Sequence, residues 1–468
     1  MKYLLKYSSE ITLKSDRTKR RLMHFLYENI KEALSGRLFS IDKRWYGIVL
    51  DAGEDEEVLD ILRRIFGVEI ISPAMEITTT SLDEILNKGL EYCRERVRDR
   101  RFAVRCTRAG RHDFSSRDVE RRLGALLVEY GKVDLTNPEI ACYVEIKNES
   151  VFFYTEKIRG QGGFPVGSEG RVLALLSGGI DSAVAVWYAY RLGLDVDFLF
   201  FDLGGNQREI ALEMARFLRS RWGYGSRGRF HYVDFSRVIS EIMKARPSYR
   251  NLLLKYAFYR FSDRLAKSMG YDAIITGEAI GQVSTQTLKN LALLNATVDS
   301  MVIRPLSAMR KSEIMAKAEE IGTYQLAYKG KEYCAISKKN VETHGKMDKL
   351  LGEVEKMDMS ILENLDIQTY EYPYEGVEFV HREKSDDLKG RVIVDLRSGG
   401  EEIEGAIRIP FEKAVSTFRE WDRDKKYLLV CEKGQKSQLL AEMMRDAGFD
   451  ATYMSEGEFF NLLKESSS

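Results

Sequence analysis

The central part of the chain contains the stretch Val172-Leu173-Ala174-Leu175-Leu176-Ser177-Gly178-Gly179-Ile180-Asp181-Ser182. Its apolar run is typical of a buried parallel strand, and residues 183–191 continue with a helical pattern. Two glycines let the backbone approach a ligand, and the N–H groups of a tight turn before a helix attract an anion. We therefore predict a phosphate-binding loop at the carboxyl end of a strand. A plain tight turn, with Asp181 or Ser182 capping the helix, is the alternative.

Further apolar runs follow this loop and alternate with helical stretches. They lie at residues 196–201, 230–235, 273–276 and 301–303. Apolar strands separated by helices indicate a doubly wound parallel sheet. The loop lacks the Gly-Lys-Ser/Thr of an ordinary P-loop. Because a carboxylate beside a triphosphate is repelled unless a cation bridges them or it takes part in the chemistry, we expect Mg²⁺ near Asp181.

Composition limits the class of protein. The chain has 468 residues, which predicts about three domains. Its 44% hydrophobic residues and seven prolines exclude a disordered or collagen-like chain. No apolar stretch approaches the roughly 18 residues that span a bilayer, so we expect a cytoplasmic protein. Five scattered cysteines and five dispersed histidines argue against a disulfide framework and a zinc enzyme.

An arginine-rich segment precedes the central part. Residues 94–122 hold eleven arginines and five acids, a surplus of 11 − 5 = +6. A phosphate-binding surface that includes Arg105, Arg108 and Arg111 is one interpretation, because guanidinium groups bind phosphate bidentately. A solvated face with internal ion pairs is the other. The turn at residues 109–111 divides the segment, which predicts a strand, a loop and a helix start.

A second chemically informative loop lies near the C-terminus. The strand at residues 427–430 ends in Cys431-Glu432-Lys433-Gly434-Gln435-Lys436-Ser437, and a helix follows at residues 438–447. A cysteine that opens a loop just before a helix N-terminus should have a lowered pKa, as a nucleophile requires. A buried structural cysteine is the alternative.

The N-terminal part resembles known RNA-binding modules. Residues 60–165 resemble a THUMP domain, an RNA-binding module of tRNA-modifying enzymes, and the residues before them resemble the small ferredoxin-like domain that precedes THUMP. The motifs that carry the THUMP resemblance are Arg108-Ala109-Gly110-Arg111-His112, Leu123-Gly124, Asp134-Leu135-Thr136-Asn137-Pro138, Glu145-Ile146 and Gly160-Gln161-Gly162-Gly163-Phe164-Pro165.

The central loop resembles the S-G-G-x-D-S pyrophosphatase loop of enzymes that adenylate a substrate oxygen. The loop is followed by residues 276–288, Arg304-Pro305-Leu306 and Lys311. Together these segments resemble the tRNA 4-thiouridine synthetase family, and the resemblance covers nearly the whole chain. The resemblance implies that Lys311 serves the adenylation step, where a cation offsets growing phosphate charge. It also implies an ATP pocket formed by Leu175, Leu176, Ser177, Gly178, Gly179, Asp181, Ser182, Phe200, Phe201, Lys255, Gly277 and Gln286.

The C-terminal part resembles a rhodanese domain, with Asp395-Leu396-Arg397 and residues 404–410 at the usual places. Four residues separate Cys431 from Lys436, and a loop of this length favours sulfur over phosphate as the group it holds. Rhodanese domains commonly have an arginine where this chain has Lys436. By spacing alone, Cys334 reads as a core thiol. The resemblance instead implies that Cys334 resolves a persulfide on Cys431 as a disulfide, and no iron–sulfur cluster is expected.

The residue patterns predict a multidomain α/β and α+β enzyme that uses ATP and Mg²⁺. The resemblance implies that it is a tRNA sulfurtransferase that forms 4-thiouridine, at position 8 of tRNA. Its expected partners are tRNA, a cysteine desulfurase or other persulfide donor and a cellular reductant. A sulfur relay to a carrier protein for thiamine thiazole synthesis and a non-catalytic tRNA-binding protein are the alternatives. We expect the rhodanese part to move, with the two cysteines apart at rest. The predicted domains are 1–59 (ferredoxin-like), 60–165 (THUMP), 166–342 (pyrophosphatase loop), 343–385 (connector) and 386–466 (rhodanese).

Overall fold

A computed structural model describes residues 2–53, 55, 57–203, 207–328, 341–375, 377, 390–432 and 434–465. It divides into two compact units, one of residues 1–168 and 191–193 and one of residues 169–190 and 194–468. Cys334 lies outside the described residues. None of the helices in the described part combines the length and apolar character that crossing a membrane requires.

The first unit is built on one nine-stranded sheet. Its strands are β1 (Lys2–Tyr7), β2 (Ser40–Arg44), β3 (Gly47–Asp51), β4 (Val68–Thr78), β5 (Arg101–Ala109), β6 (Lys132–Val133), β7 (Ile140–Lys147), β8 (Ser150–Tyr154) and β9 (Ile158–Arg159), and its helices are α1 (Ser9–Thr12), α2 (Asp16–Ala33), α3 (Glu57–Leu62), α4 (Leu82–Cys93) and α5 (Ser116–Leu127). The strand order is β2-β3-β1-β4-β8-β7-β5-β6, and β9 pairs with β4. The long strand β4 pairs with β1 and with β8, so it belongs to both halves of the sheet.

The arginine-rich segment divides as the sequence predicts, into strand β5, a loop and helix α5. A capping box begins α5: the Ser115 hydroxyl accepts from the Asp118 N–H at 3.2 Å, and the Asp118 carboxylate accepts from the Ser115 N–H at 2.8 Å. Val119 and Leu123 bury the inner face of α5 in one core with Val144 of β7. The serine, aspartate and apolar spacing therefore place the helix where the pattern predicted it.

The second unit begins with a six-stranded sheet. Its strands are β10 (Arg171–Leu175), β11 (Asp195–Asp202), β12 (Phe230–Asp234), β13 (Ala273–Ile275), β14 (Met301–Ile303) and β15 (Gln368–Tyr370), and its helices are α6 (Ile180–Arg191), α7 (Gln207–Trp222), α8 (Ser236–Ile242), α9 (Pro247–Met269), α10 (Leu288–Asn295), α11 (Lys311–Ile321), α12 (Tyr324–Tyr328) and α13 (Met347–Val354). The order is β14-β13-β10-β11-β12-β15, and the first five strands are parallel. The five apolar runs of the sequence thus form the expected parallel sheet.

Residues 343–375, which the sequence predicted as part of a connector, pack into this unit. Strand β15 pairs antiparallel with β12 at the edge of the sheet. Helix α13 contacts α9, and its buried Glu353 carboxylate accepts from the Arg246 N–H at 3.0 Å. A three-residue edge strand within a charged segment has no apolar run, so the pattern could not reveal it.

A smaller parallel sheet ends the chain. Its elements are β16 (Val392–Asp395), β17 (Ile407–Arg408), β18 (Lys426–Cys431) and β19 (Asp450–Ser455), with α14 (Phe411–Thr417), α15 (Gln435–Asp446) and α16 (Glu456–Glu465). The strand order is β17-β16-β18-β19. Helix α15 packs against α8, and Ile239 and Met243 share one apolar cluster with Leu440 and Met444.

Candidate active site

The glycine loop between β10 and α6 is held by its own serines. The Gly179 N–H donates to the Ser177 hydroxyl at 3.3 Å, and the Ser182 hydroxyl donates to the Gly179 carbonyl at 3.1 Å. Gly178 has a φ of +77°, which side chains rarely adopt, and an added Cβ would lie 3.2 Å from the Ala211 nitrogen. The loop therefore needs glycine at position 178, and α6 begins directly behind it.

The segment after β13 lies against this loop. A Cβ at Gly277 would be 2.6 Å from the Ser182 nitrogen and 2.7 Å from the Asp181 carbonyl carbon, so only glycine fits there. The Gln286 side chain accepts from the Ala279 N–H at 3.3 Å. The structure thus brings Gly277 to the predicted phosphate loop, and Gln286 fixes the segment that follows it.

Asp181 and Lys311 meet at the same edge of the sheet although 130 positions separate them. The Lys311 ammonium donates to the Asp181 carboxylate at 2.5 Å. Both side chains keep access to solvent, with 26% of Asp181 and 50% of Lys311 exposed. A lysine beside an anion-binding loop can offset the charge of a bound phosphate or a leaving pyrophosphate.

Lys255 donates to the buried carboxylate of Glu278 at 2.6 Å. Glu278 also accepts from the Tyr259 hydroxyl and from Arg304, whose Nε lies 3.2 Å away. Burial alone would raise the pKa of Glu278, but Lys255, Tyr259 and Arg304 outweigh it and lower that pKa to about 2. Sequence reasoning did not select Glu278, Tyr259 or Arg304 as site residues. The signals in the sequence were the position of Glu278 after Gly277 at a strand end and that of Arg304 at the start of a quoted motif; Tyr259 had none.

The predicted pocket residues on β10 and β11 are mostly interior. Leu176 is buried, and its N–H donates to the Leu199 carbonyl at 3.0 Å. The Phe200 ring is stacked with the Tyr232 ring. The Phe201 ring is stacked with the Phe258 ring, with centroids 4.4 Å apart. Both phenylalanines are therefore buried side chains on opposite faces of β11, and their part in an ATP pocket stays a prediction.

Cys431 is the last residue of β18. Its sulfur accepts from the Ser437 N–H at 3.4 Å and lies 3.3 Å from the Ser437 hydroxyl, which also donates to the Gly434 and Met454 carbonyls at 2.9 and 3.0 Å. Gly434 has a φ of +81° directly before α15. Lys436 lies 5.7 Å from the Phe411 ring centroid. The sulfur thus lies at a loop and a helix N-terminus, but Cys431 as a residue is only 2% exposed.

The three predicted RNA-binding arginines do not share one face. Arg105 and Arg108 lie three residues apart on β5, which puts them on opposite sides of the sheet, and Arg111 lies in the loop that follows. Arg108 donates to the Gly110 carbonyl at 3.1 Å. Part of the arginine surplus is neutralised, because Arg101 pairs with Asp134 and Glu139 from outside the segment.

These features define an α/β protein with a glycine-rich loop of anion-binding geometry on one parallel sheet and a loop that opens with a cysteine on another. Family models match four parts of the chain: the ThiI ferredoxin-like domain at residues 2–72, the THUMP domain at 79–156, the thiamine biosynthesis protein (ThiI) at 167–359 and the rhodanese-like domain at 380–465. They confirm the predicted domain types and the multidomain fold class.

The chain also matches known proteins over nearly their whole length. The chain is 36% identical to a tRNA sulfurtransferase of Desulfurococcus amylolyticus, with 97% of each chain covered, and 35% identical to one of Escherichia coli, with 96% of this chain and 98% of the relative covered. The chain therefore belongs to the tRNA sulfurtransferase family.

Two solved structures resemble the fold. A crystal structure of a 4-thiouridine synthetase–RNA complex with bound ATP has a TM-score of 0.70 and 29% identity, covering 79% of this chain and 99% of that one. PH1313 from Pyrococcus horikoshii has a TM-score of 0.56 and 24% identity, covering 69% of this chain and all of that one, and shows the fold alone.

Proposed function

We propose that this enzyme uses ATP to transfer a persulfide sulfur to the uridine at position 8 of tRNA, which gives 4-thiouridine. The contact between Asp181 and Lys311 at a glycine loop carries the proposal, because it supplies a charged phosphate site at a strand end. The related 4-thiouridine synthetase was solved with RNA and ATP, which supports both as substrates here. Because tRNA and ATP are available in the cytoplasm, the proposal places the reaction there.

The first step is adenylation. The uridine O4 attacks the α-phosphorus of ATP, and pyrophosphate leaves while the loop N–H groups and Lys311 offset its charge. Mg²⁺ usually takes one or two protein carboxylates plus substrate phosphates, so Asp181 fits as a ligand, although no cluster of three possible ligands occurs among the described residues. When bound, Mg²⁺ would neutralise phosphate charge. Lys255, held by Glu278, is available to a phosphate or to the adenine nucleotide's ribose.

The second step is sulfur transfer. Cys431 takes a terminal sulfur from a cysteine desulfurase, and this persulfide attacks C4 of the adenylated uridine, displacing AMP. The Cys334 thiolate then attacks the Cys431 sulfur, which forms a Cys334–Cys431 disulfide and releases the sulfur on the uridine. A dithiol reductant returns two electrons to reopen the disulfide. In a variant of this step, attack of Cys334 on the Cys431 persulfide releases free sulfide, which then attacks C4 of the uridine. The same disulfide forms and the same reductant is needed.

Loading requires a second arrangement. Cys431 is 2% exposed, so this residue is closed to a protein donor in the conformation described. Opening of the contact between α15 and α8 would give a donor access to this part of the molecule. We therefore retain the prediction that the rhodanese part moves between loading and transfer.

A second candidate function is sulfur relay to a carrier protein. The family model that matches residues 167–359 is described as a thiamine biosynthesis protein, which favours this role beside tRNA thiolation. Incubation of persulfide-loaded enzyme, ATP and a small carrier protein, followed by mass spectrometry for a C-terminal thiocarboxylate, tests it. An unmodified carrier under conditions that thiolate tRNA would contradict this second role.

Mass spectrometry of tRNA nucleosides after incubation with ATP, Mg²⁺ and a persulfide source tests the main proposal. We expect 4-thiouridine from the parent enzyme and from Asp299→Asn, a control at an exposed carboxylate that pairs with Lys267. Asp181→Asn should form neither pyrophosphate nor 4-thiouridine, whereas Cys431→Ser should release pyrophosphate without thiolation. Thiolation by Asp181→Asn at the parent rate would contradict the assigned site.

A further inference from the structure

The loop that begins at Cys431 is fixed at its far end by Ser437, and its near end has a separate attachment. Glu432, the residue next to Cys431, accepts two hydrogen bonds from Ser398 on one carboxylate oxygen. The Ser398 N–H donates to Glu432 Oε1 at 2.7 Å, and the Ser398 hydroxyl donates to the same oxygen at 2.6 Å. These bonds join the cysteine loop to the segment that follows β16, although 34 positions separate the two residues.

Ser398 is itself held in place by a buried ion pair. Asp395 is the last residue of β16. The Arg397 guanidinium binds the Asp395 carboxylate with two parallel hydrogen bonds, from Nε to Oδ1 at 2.8 Å and from Nη2 to Oδ2 at 3.0 Å. Arg397 also donates to the Glu456 carboxylate. Because Arg397 directly precedes Ser398, the two donors that Ser398 offers have a fixed position.

The charge of Glu432 does not explain its position. Burial would raise the pKa of Glu432, but the hydrogen bonds from Ser398 and the charge of Lys436 outweigh it and lower that pKa. Glu432 is therefore ionised at neutral pH. A negative charge on the residue next to Cys431 opposes a sulfur anion, which sulfur transfer requires. Any benefit of Glu432 to sulfur chemistry must therefore come from its hydrogen bonds and not from its charge.

The environment of the sulfur depends on the shape of this loop. The Ser437 N–H donates to the Cys431 sulfur at 3.4 Å. The Ser437 hydroxyl donates to the Gly434 and Met454 carbonyls, which fixes the end of the loop that meets α15. The bonds to Glu432 fix the end that leaves β18. With both ends fixed, the loop keeps an N–H donor aimed at the sulfur, and such a donor stabilises an anion best when it needs no rearrangement.

We propose that Glu432 is a positioning residue for sulfur transfer: its hydrogen bonds to Ser398 hold the loop in the shape that stabilises the sulfur anion of Cys431. The proposal rests on Cys431 being the sulfur carrier of the proposed function. In loading, the Cys431 thiolate attacks the outer sulfur of a donor persulfide and the donor thiolate leaves, so the Cys431 sulfur must be an anion before the step. Glu432 takes no part in this exchange and acts only through the loop.

Loading of Cys431 by cysteine persulfide, with mass spectrometry of the Cys431 peptide for the gain of one sulfur atom, tests the proposal without ATP or tRNA. Glu432→Ala should load about tenfold more slowly at neutral pH, and the pH midpoint of its loading rate should rise by about one pH unit, because the sulfur anion loses support. Glu432→Gln should load close to the parent rate, because its amide oxygen still accepts from Ser398. Glu402→Gln, which removes an exposed acid of the segment after β16, is the matched control and should load like the parent.

Ser398→Ala provides a second test, because Ser398 is exposed and the change leaves the residues of the cysteine loop intact. It removes the hydroxyl donor and keeps the N–H, so its loading rate should fall by less than that of Glu432→Ala. The double variant should load no more slowly than Glu432→Ala alone, since both residues act in one contact. Losses that multiply in the double variant would overturn the proposal.

An effect of charge would give the opposite shift. If Glu432 acted by its charge, Glu432→Ala and Glu432→Gln would both lower the pH midpoint of loading, and that result would overturn the proposal. Loading by Glu432→Ala at the parent rate and midpoint would overturn it too. Circular dichroism checks that each variant is folded, and Ser398→Ala carries the test if Glu432→Ala is not. A parent enzyme that loads Cys431 but forms no 4-thiouridine would contradict the proposed function and leave the role of Glu432 standing.

Discussion

Two buried carboxylates lie at opposite ends of the same parallel sheet, and each is bound by cationic side chains and one tyrosine hydroxyl. Glu278 follows β13 at the carboxyl end, where Lys255, Tyr259 and Arg304 bind it. Asp197 lies near the start of β11, at the amino end of the sheet. The two networks differ in where they lie on the sheet, and only the one at Glu278 adjoins the proposed site.

The side chains that bind Asp197 come from the beginnings of the neighbouring strands or from the residues just before them. Asp197 accepts from Arg229 at 2.8 Å and from the Tyr271 hydroxyl at 2.7 Å, and Arg171 approaches it at 3.4 Å. Burial would raise the pKa of Asp197, but Arg229 and Tyr271 outweigh it and lower that pKa. His231 extends this network to Thr369 of the edge strand β15.

The difference lies in position rather than in chemistry. Glu278 adjoins Gly277, whose backbone touches the phosphate loop, and it holds Lys255, a predicted pocket residue. Asp197 instead ties together the starts of β10, β11 and β12. Burial and a lowered pKa mark both carboxylates, so these properties do not identify a site. Ligands of such sheets bind at the carboxyl ends of the strands, and this position is why we propose the site at Glu278 and not at Asp197.

The largest expected effect is on stability, from Asp197→Ala. Removing one partner of a buried ion pair costs about 3 to 5 kcal/mol, because Arg229 loses its carboxylate while remaining partly buried. Hydrogen exchange of β11 and β12 should report this loss, while pyrophosphate release by the folded fraction stays unchanged. Asp299→Ala, at an exposed pair, is the control. If Asp197→Ala left hydrogen exchange unchanged but reduced pyrophosphate release, the roles assigned to the amino and carboxyl ends of the sheet would be reversed.

Glu278→Gln should affect catalysis more than stability. The amide cannot balance Lys255 and Arg304, so we expect both cations to shift and kcat/KM for ATP to fall about a hundredfold. Glu278→Asp should recover part of the loss, and Glu320→Gln at the surface pair with Lys317 should lose nothing. Steady-state pyrophosphate release against ATP concentration measures these constants. Parent kinetics in Glu278→Gln would show that this network is as structural as that of Asp197.

The smallest expected effect is a pH dependence of stability, and it arises only at the amino end of the parallel sheet. Burial lowers the pKa of His231 to about 4, so the unfolded chain takes up a proton near pH 6.5 while the folded chain does not. Stability should therefore fall as pH drops below 6.5 and level off below about 4. The loss between pH 7.5 and 5 is roughly 2 kcal/mol.

Hydrogen exchange of β12 across this pH range should show the decline, and His231→Gln should flatten it. His24→Gln, at an exposed histidine of the other unit, should leave the slope as it is. An identical slope in the parent and His231→Gln would mean that another group governs the pH dependence.

Local patterns were enough to predict the first five strands of the central parallel sheet, the start of α5 and the two loops at Ser177 and Cys431. The apolar run before Ser177 and the glycines after it gave β10 and the turn into α6, and Ser115 with Asp118 gave the start of α5. The loop that begins at Cys431 was also visible, because all of its residues are consecutive. Each of these features depends on neighbours within a few positions.

Long-range contacts could not be predicted in the same way. The partners of Glu278 come from α9 and from the segment after β14, and they meet only once the sheet is assembled. The edge strand β15 carries no apolar pattern. The bonds from Ser398 to Glu432 join two loops that lie 34 positions apart in the sequence. The role of Cys334 stays a prediction.

The central claim is that ATP chemistry at Asp181 and Lys311 drives transfer of sulfur from Cys431 to tRNA. Loading Cys431 with a radioactive persulfide sulfur and following one turnover tests it most directly. We expect the label to leave the protein and appear in 4-thiouridine only when ATP is added, and to remain on Cys431 in Asp181→Asn. Transfer of the label to tRNA without ATP, or formation of unlabelled 4-thiouridine while the label stays on Cys431, would contradict the claim.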